Sequence, residues 1–101
     1  MEIKWTELAK DDIKEFYEIT QMSKPKEYIL GLIENVQLLA EQPKLGKIYS
    51  YMHGYLIRQL IHEQHRIFYY IEDDVIYIIS IVHHKQNINE KIKYIEKFIN
   101  N

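Results

Sequence analysis

The chain has 101 residues, 47% of them apolar, no cysteine and a formal net charge of −2. That length and apolar share predict one globular domain over residues 1–101 and exclude a disordered chain, while the lack of cysteine excludes disulfides and thiolate metal sites. No basic-then-apolar leader follows Met1 and the longest uncharged apolar run is only Val75–Val82, so a cytoplasmic protein with no signal peptide or membrane span is expected.

At the start, Ile3 and Trp5 alternate with charged neighbours, which predicts a short strand over Glu2–Trp5. Thr6 can cap a helix over 7–21. Ala9, Ile13, Phe16, Tyr17 and Thr20 would share its buried face, with Lys10, Asp11, Lys14, Glu15 and Glu18 outside. Gln21–Lys24 reads as a short turn, and Pro25 suits the first turn of a second helix. There Ile29, Leu32, Ile33, Val36, Leu39 and Ala40 recur at three- and four-residue steps until Pro43 and Gly46 end the pattern. Two amphipathic helices so closely joined predict an antiparallel hairpin whose apolar side needs a sheet.

Pro43–Lys47 is a loop, Ile48–Met52 is weakly extended, and Gly54 marks a turn. From Gly54 to Lys85 come three dense runs of Ile, Val, Phe and Tyr, broken at Glu63-Gln64 and Glu72-Asp73-Asp74. Such short polar breaks predict an antiparallel meander. Alternation puts His65, Ile67, Tyr69 and Ile71 on one side of the middle strand, with Arg66, Phe68 and Tyr70 opposite. In the last strand it groups Tyr77, Ile79, Ile81 and His83 against Ile78, Ser80, Val82 and His84. Asn89 can cap a final helix over about 90–100, whose stripe of Ile88, Ile92, Ile95 and Ile99 would lie on the core as a lid. The fold expected is α+β: an N-terminal helical hairpin plus a C-terminal helix packed on a small antiparallel β-sheet.

Charge is uneven along the chain. Residues 1–46 sum to −3 and residues 47–101 to +1, and the second part holds both arginines and all five histidines. So slight a basic excess argues against autonomous nucleic-acid binding through many phosphates. Arg66, flanked on its face by Phe68 and Tyr70, is the first candidate site residue, although a strand arginine is commonly a surface ion-pair partner. His83 and His84 end a strand and titrate near neutrality, with Lys85 beside them. Metal-free RNA cleavage needs a base, an acid and a cation for the developing phosphorane charge, roles that His83, His84 and Arg66 could fill. Lys47, Arg58 and Lys85 could hold a phosphate backbone, and Phe68 or Tyr70 could stack a base. No two histidines stand four apart on a helix, so neither a metal nor another cofactor is expected.

Taken together, Asp11 or Asp12, then Pro43, Gly46 and Lys47, then Arg58 and Leu60, then Arg66, Ile67 and Tyr69, and finally His83 form an ordered pattern. It resembles the RelE/ParE superfamily, the toxins of bacterial type II toxin–antitoxin pairs, and spans Ile3 to about Lys85. The resemblance implies a helical pair on a sheet, a cognate antitoxin as partner and a growth-arresting activity. Two targets are open within it. The Pro-x-x-Gly-Lys turn, the Arg-x-Leu strand and the modest charge resemble the ParE branch, which poisons DNA gyrase. The alternative is a RelE-like ribosome-dependent mRNA endoribonuclease, which here would have to use histidine because no arginine or tyrosine follows His83 in His84-Lys85-Gln86-Asn87-Ile88. A third expectation is an inactive member that only binds an antitoxin.

Overall fold

A computed structural model describes residues 1–19 and 24–100. The elements run β1 (Glu2–Trp5), α1 (Glu7–Ile19), α2 (Pro25–Gln37) continued by a 3₁₀ turn (Leu38–Ala40), β2 (Lys47–Met52), β3 (Tyr55–His62), β4 (His65–Glu72), β5 (Val75–His83) and α3 (Ile88–Ile99). The side chain of Tyr17, residue Thr20 and most of the turn expected at Gln21–Lys24 lie outside the described residues.

The five strands form one sheet in the order β1-β5-β4-β3-β2. The meander β3 to β5 is antiparallel as expected and β2 extends it antiparallel to β3, but β1 runs parallel to β5, with Glu2 opposite Val75 and Trp5 opposite Ile78. The sheet is therefore mixed, which corrects the antiparallel expectation. A strand followed by helices before its sheet partner arrives can come back in either direction, and local pattern does not choose between them. The chain opens on the strand expected at Glu2–Trp5, so the helical pair follows β1 and is not itself the N-terminal element.

The tight turns hold backbones that side chains resist. Asp73 and Asp74 have φ of +52° and +61°, and His53 and Gly54 have +50° and +86°. Two successive positive φ values match the right-handed twist of the flanking strands, so these turns suit two-residue hairpins.

Both sheet faces are covered. On one, Leu32, Val36 and Leu39 of the α2 segment and Ala9 of α1 pack on Leu60, Ile67, Tyr69, Ile76, Ile78 and Ile81. On the other, the isoleucine stripe of α3 packs on Met52, Ile57, Phe68, Ile79 and Val82, with Ile95 fully buried. A buried isoleucine is worth roughly 2 kcal/mol, so this stripe is what holds α3 to the sheet. The helix begins two residues before the expected start of 90. Asn87, not Asn89, is its cap, accepting from the N–H groups of Asn89 (3.0 Å) and Glu90 (3.3 Å).

A bulge changes the faces of β5. Phe68 lies opposite Ser80 while Tyr69 lies opposite Ile78, so Ile79 is an extra residue. Its insertion shifts the alternation by one. Ile76, Ile78 and Ile81 thus share the α1–α2 face, and Ile79 joins Val82 under α3. The expected grouping of Ile79 with Ile81 and His83 fails for this reason.

Helix α1 finishes the sheet edge that β1 leaves short. Beyond Trp5 no strand among the described residues pairs with the outer side of β5. Thr6 instead donates its N–H to Ile78 O at 3.1 Å, and its Oγ1 lies 2.9 and 3.0 Å from the carbonyls of Ile78 and Ile79. The same Oγ1 accepts from Ala9 N at 3.2 Å, as expected of the helix cap. Farther on, buried Asp12 accepts from Ile81 N–H (2.9 Å) and Ser80 Oγ (2.6 Å), and Lys91 of α3 donates to its other oxygen.

Candidate functional site

The loop between the α2 segment and β2 is fastened from below. Tyr69 Oη accepts from Gly46 N–H and donates to Pro43 O, both at 2.8 Å. Arg58 Nη1 donates to Gly46 O at 2.8 Å. A Cβ on Gly46 would sit 2.6 Å from Tyr69 Cε1 and 2.8 Å from Gln59 O, so only glycine allows this approach. Burial raises the Tyr69 phenol above its usual pKa and keeps it protonated as the donor this loop needs. Proline, glycine, arginine and tyrosine from the sequence pattern are thus one structural lock. Arg58, expected as a binding residue, spends a guanidinium N–H on the loop carbonyl.

The lock presents Lys47 next to Arg66. These two border a recess of about 390 Å³, together with Leu45, Gly46, Gln59 and Ile61. Arg66 lies opposite Ile61 on β3 and Val82 on β5, which puts it on the α3 face of the sheet. Among the described residues neither Lys47 nor Arg66 has an ion-pair partner, while Ile61 is 57% exposed beside them. Buried Gln59 Oε1 also lacks a partner there. The recess is cationic, apolar at its rim and unengaged.

The histidines stand elsewhere. His62, His65 and His83 pair across β3, β4 and β5 and so form a row on the α1–α2 face. The His65 and His83 rings are 4.8 Å apart, and His84 tilts against His83 at 4.5 Å. Phe16 and Tyr28 close over His65, whose Nδ1 lies 2.8 Å from Tyr28 Oη. Since Tyr28 Oη is also 3.2 Å from His62 O, which can only accept, the consistent assignment has His65 Nδ1–H donating to Tyr28. Burial chiefly, then the neighbouring His83, His62 and His84, lowers the pKa of His65 to about 4. His65 is neutral at physiological pH.

His83 has both ring nitrogens in use. Nδ1 accepts from Lys85 N–H at 3.0 Å, and Nε2 is 3.2 Å from Gln64 Oε1. Its pKa is lowered by burial first, then by His84 and Lys85. His84 is exposed and anchored through its N–H to Gln64 O at 2.8 Å. Lys85 borders a separate pocket of about 310 Å³ with Asp12, Glu15, Phe16 and His83. The sheet therefore divides the expected residues: Lys47 and Arg66 lie on one face, while His83 belongs to the row on the other.

The aromatic candidates are packed. Phe68 is fully buried, edge-on to Tyr49 at 5.1 Å, and cannot stack a base. Tyr70 is half-buried, stacked on Tyr77 at 5.1 Å and tilted against Tyr55 at 4.6 Å. Sequence reasoning named Asp12 only as a pattern match and missed Ser80, Lys91, Gln64, Tyr28 and the His62–His65 pair. These act through long-range pairing; the one local hint was a polar Ser80 amid an apolar run.

Among the described residues no group of three His, Cys, Asp or Glu is arranged to hold a metal ion. No described helix is long and apolar enough to cross a membrane.

Comparison with known proteins extends these observations. The family model described as "ParE toxin of type II toxin-antitoxin system, parDE" matches residues 3–88. Among curated proteins nothing matches. A solved structure described as the chromosomal ParDE TA system from P. aeruginosa superposes with a TM-score of 0.57 at 20% identity, covering 82% of this chain and 95% of that one. At that identity the likeness is one of fold.

Proposed function

This chain belongs to the ParE toxin family of type II toxin–antitoxin systems, and from that premise we propose that it arrests growth by binding DNA gyrase, not by cutting RNA. The observation that carries the choice is that the sheet separates Arg66 from the row of His62, His65 and His83. Metal-free cleavage needs base, acid and cation around one phosphate. Arg66 pairs with Val82 on the α3 face, while His83 pairs with His65 on the other and has both ring nitrogens engaged. A binding poison needs no such convergence. It needs an accessible surface with a few unpaired cations and apolar contact, which the Lys47–Arg66–Ile61 recess supplies.

In this reading residues 1–101 work as one cytoplasmic domain. The antitoxin that the family implies lays a helix or strand across the sheet and covers the Arg66 recess. Lys47 and Arg66 make target contacts, and Arg58 supports them by holding the loop.

The test is pulse labelling of new DNA and new protein in bacteria within minutes of induction. Early loss of thymidine uptake with translation continuing is the expected result. Immediate loss of methionine incorporation with DNA synthesis intact would overturn it in favour of the ribosome-bound nuclease. Undisturbed growth would mark a chain that only binds its antitoxin.

A further inference from the structure

Four of the five histidines cluster at one end of the sheet. His65 is 1% exposed. Phe16 of α1 stands edge-on to its ring at 4.4 Å, Tyr28 of α2 is tilted against it at 5.4 Å, and the Tyr28 hydroxyl accepts from Nδ1–H. The other ring nitrogen, Nε2, is buried with no partner among the described residues. His62 of β3 accepts at Nδ1 from Asn35 Nδ2 of α2 at 3.1 Å, and His83 of β5 accepts at Nδ1 from Lys85 N–H at 3.0 Å. Each of these three rings thus keeps a lone pair where an imidazolium would carry an N–H. The charges nearby give no relief. His62, His83 and His84 would add like charge around His65, and Lys85 stands against His83. Glu63 lies 3.7 Å from His62 Nε2, Glu15 borders the pocket beside Phe16 and His83, and Asp12 in that pocket is bound to Lys91. Among the described residues no carboxylate pairs with His65.

We propose that this row is a clamp that acid opens: with neutral rings it holds the joined ends of α1 and α2 on the sheet, and with protonated rings it releases Phe16 and Tyr28 while the strands stay paired. A proton on His65 Nε2 creates a charged N–H with no acceptor inside an aromatic enclosure, and water reaches it only if Phe16 and Tyr28 move away. A proton on His62 Nδ1 replaces the acceptor that Asn35 uses and removes a second tie between α2 and the sheet. Ionised rings 4.8 and 4.5 Å apart also repel, which favours the open, hydrated form. The other contacts of the helices do not involve imidazole. Ala9, Leu32, Val36 and Leu39 pack on Ile67, Ile76 and Ile78, so the opening is local. Burial and the neighbouring histidines hold His65 at a pKa of about 4 in the closed clamp, against 6.5 when hydrated. The open form therefore binds the proton first, and opening grows as the pH falls through 6.5 and levels off below 4. From pH 7.5 to pH 5 the opening constant rises about 30-fold.

Amide hydrogen exchange of the full chain, followed by NMR and corrected for intrinsic rates, tests this. The amides of Phe16 and of Tyr28, the latter held by Lys24 O at 3.2 Å, should lose about 30-fold in protection between pH 7.5 and pH 5. At pH 5 their exchange should depend on urea far less steeply than that of Ile67 and Phe68, which lie inside the sheet and open only on global unfolding. His65→Phe should abolish most of the acid response, while Tyr28→Phe should speed exchange at both pH values and keep the response. Nitrogen NMR of the His65 ring needs no substitution: at pH 7.5 Nδ1 carries the proton and Nε2 is bare. Protection unchanged at pH 5, a urea slope equal to that of the β4 amides, an undiminished response in folded His65→Phe, or a proton on Nε2 at pH 7.5 would each overturn the proposal.

Discussion

Asp12 and Lys91 meet at 2.5 Å beside the stretch of β5 that β4 pairs on its inner side and β1 does not reach on its outer side, joining the helix at the sheet edge to the helix on the opposite face. The pair is well covered, with side-chain exposures of 6% for Asp12 and 16% for Lys91. The carboxylate also holds Ser80 Oγ and Ile81 N–H. Asp12→Ala would strand a covered ammonium, a hydroxyl and a backbone donor together. A loss of about 3–5 kcal/mol is expected in urea unfolding. Asp12→Asn keeps an acceptor for Ile81 and should lose clearly less. Equal losses for the two variants would show that the charge and the edge hydrogen bonds are not what matters.

Gly46 should not tolerate a methyl group. Its Cβ would fall 2.6 Å from the Tyr69 ring and 2.8 Å from the backbone oxygen of Gln59, and the latter cannot swing away. Gly46→Ala is expected to cost about 1–3 kcal/mol. The Tyr69→Phe variant leaves Gly46 N–H and Pro43 O without their partner and should cost a similar amount by loss of hydrogen bonds. Chemical denaturation measures both. A neutral Gly46→Ala would mean the loop has a second, equally good seat.

Stability should fall in mild acid through His65. Its folded pKa of about 4 lies below the 6.5 of an unfolded histidine, so between these values the unfolded chain binds the extra proton. The contribution is intact above about pH 6.5, shrinks as the pH drops toward 4 and changes no further below. Between pH 7.5 and pH 5 it amounts to about 2 kcal/mol. His83, shifted in the same direction, adds to the trend. Comparing urea midpoints at the two pH values for the wild type and His65→Phe gives the check. A variant with the wild-type slope would assign the acid sensitivity to other groups.

Arg66→Ala and His83→Ala should separate in growth-arrest assays. Removing the arginine of the open recess is expected to weaken target binding by about tenfold and blunt arrest. Removing His83, whose nitrogens serve Lys85 N–H and Gln64, should leave arrest intact if the variant remains folded by circular dichroism. Full loss of arrest with folded His83→Ala would restore a catalytic role to the imidazole.

Local signals in the sequence determined most of the elements. Apolar recurrence marked α2 through Leu32, Val36 and Leu39, the isoleucine stripe marked α3, and polar breaks marked the hairpins of β3, β4 and β5. Thr6 was legible as a cap because capping involves only the next few residues. Pro43, Gly46, Arg58 and Tyr69 were visible as a pattern, yet their use as a lock was not, since Tyr69 reaches the loop from a strand distant in sequence. The tertiary structure alone decided the parallel pairing of β1, the Ile79 bulge, the burial of Phe68 and the separation of Arg66 from the histidine row. The physical reason is common to all four. Periodicity tells which residues alternate, but the layer covering each face and the register between strands are set by partners far along the chain, and one inserted residue is enough to change what meets what.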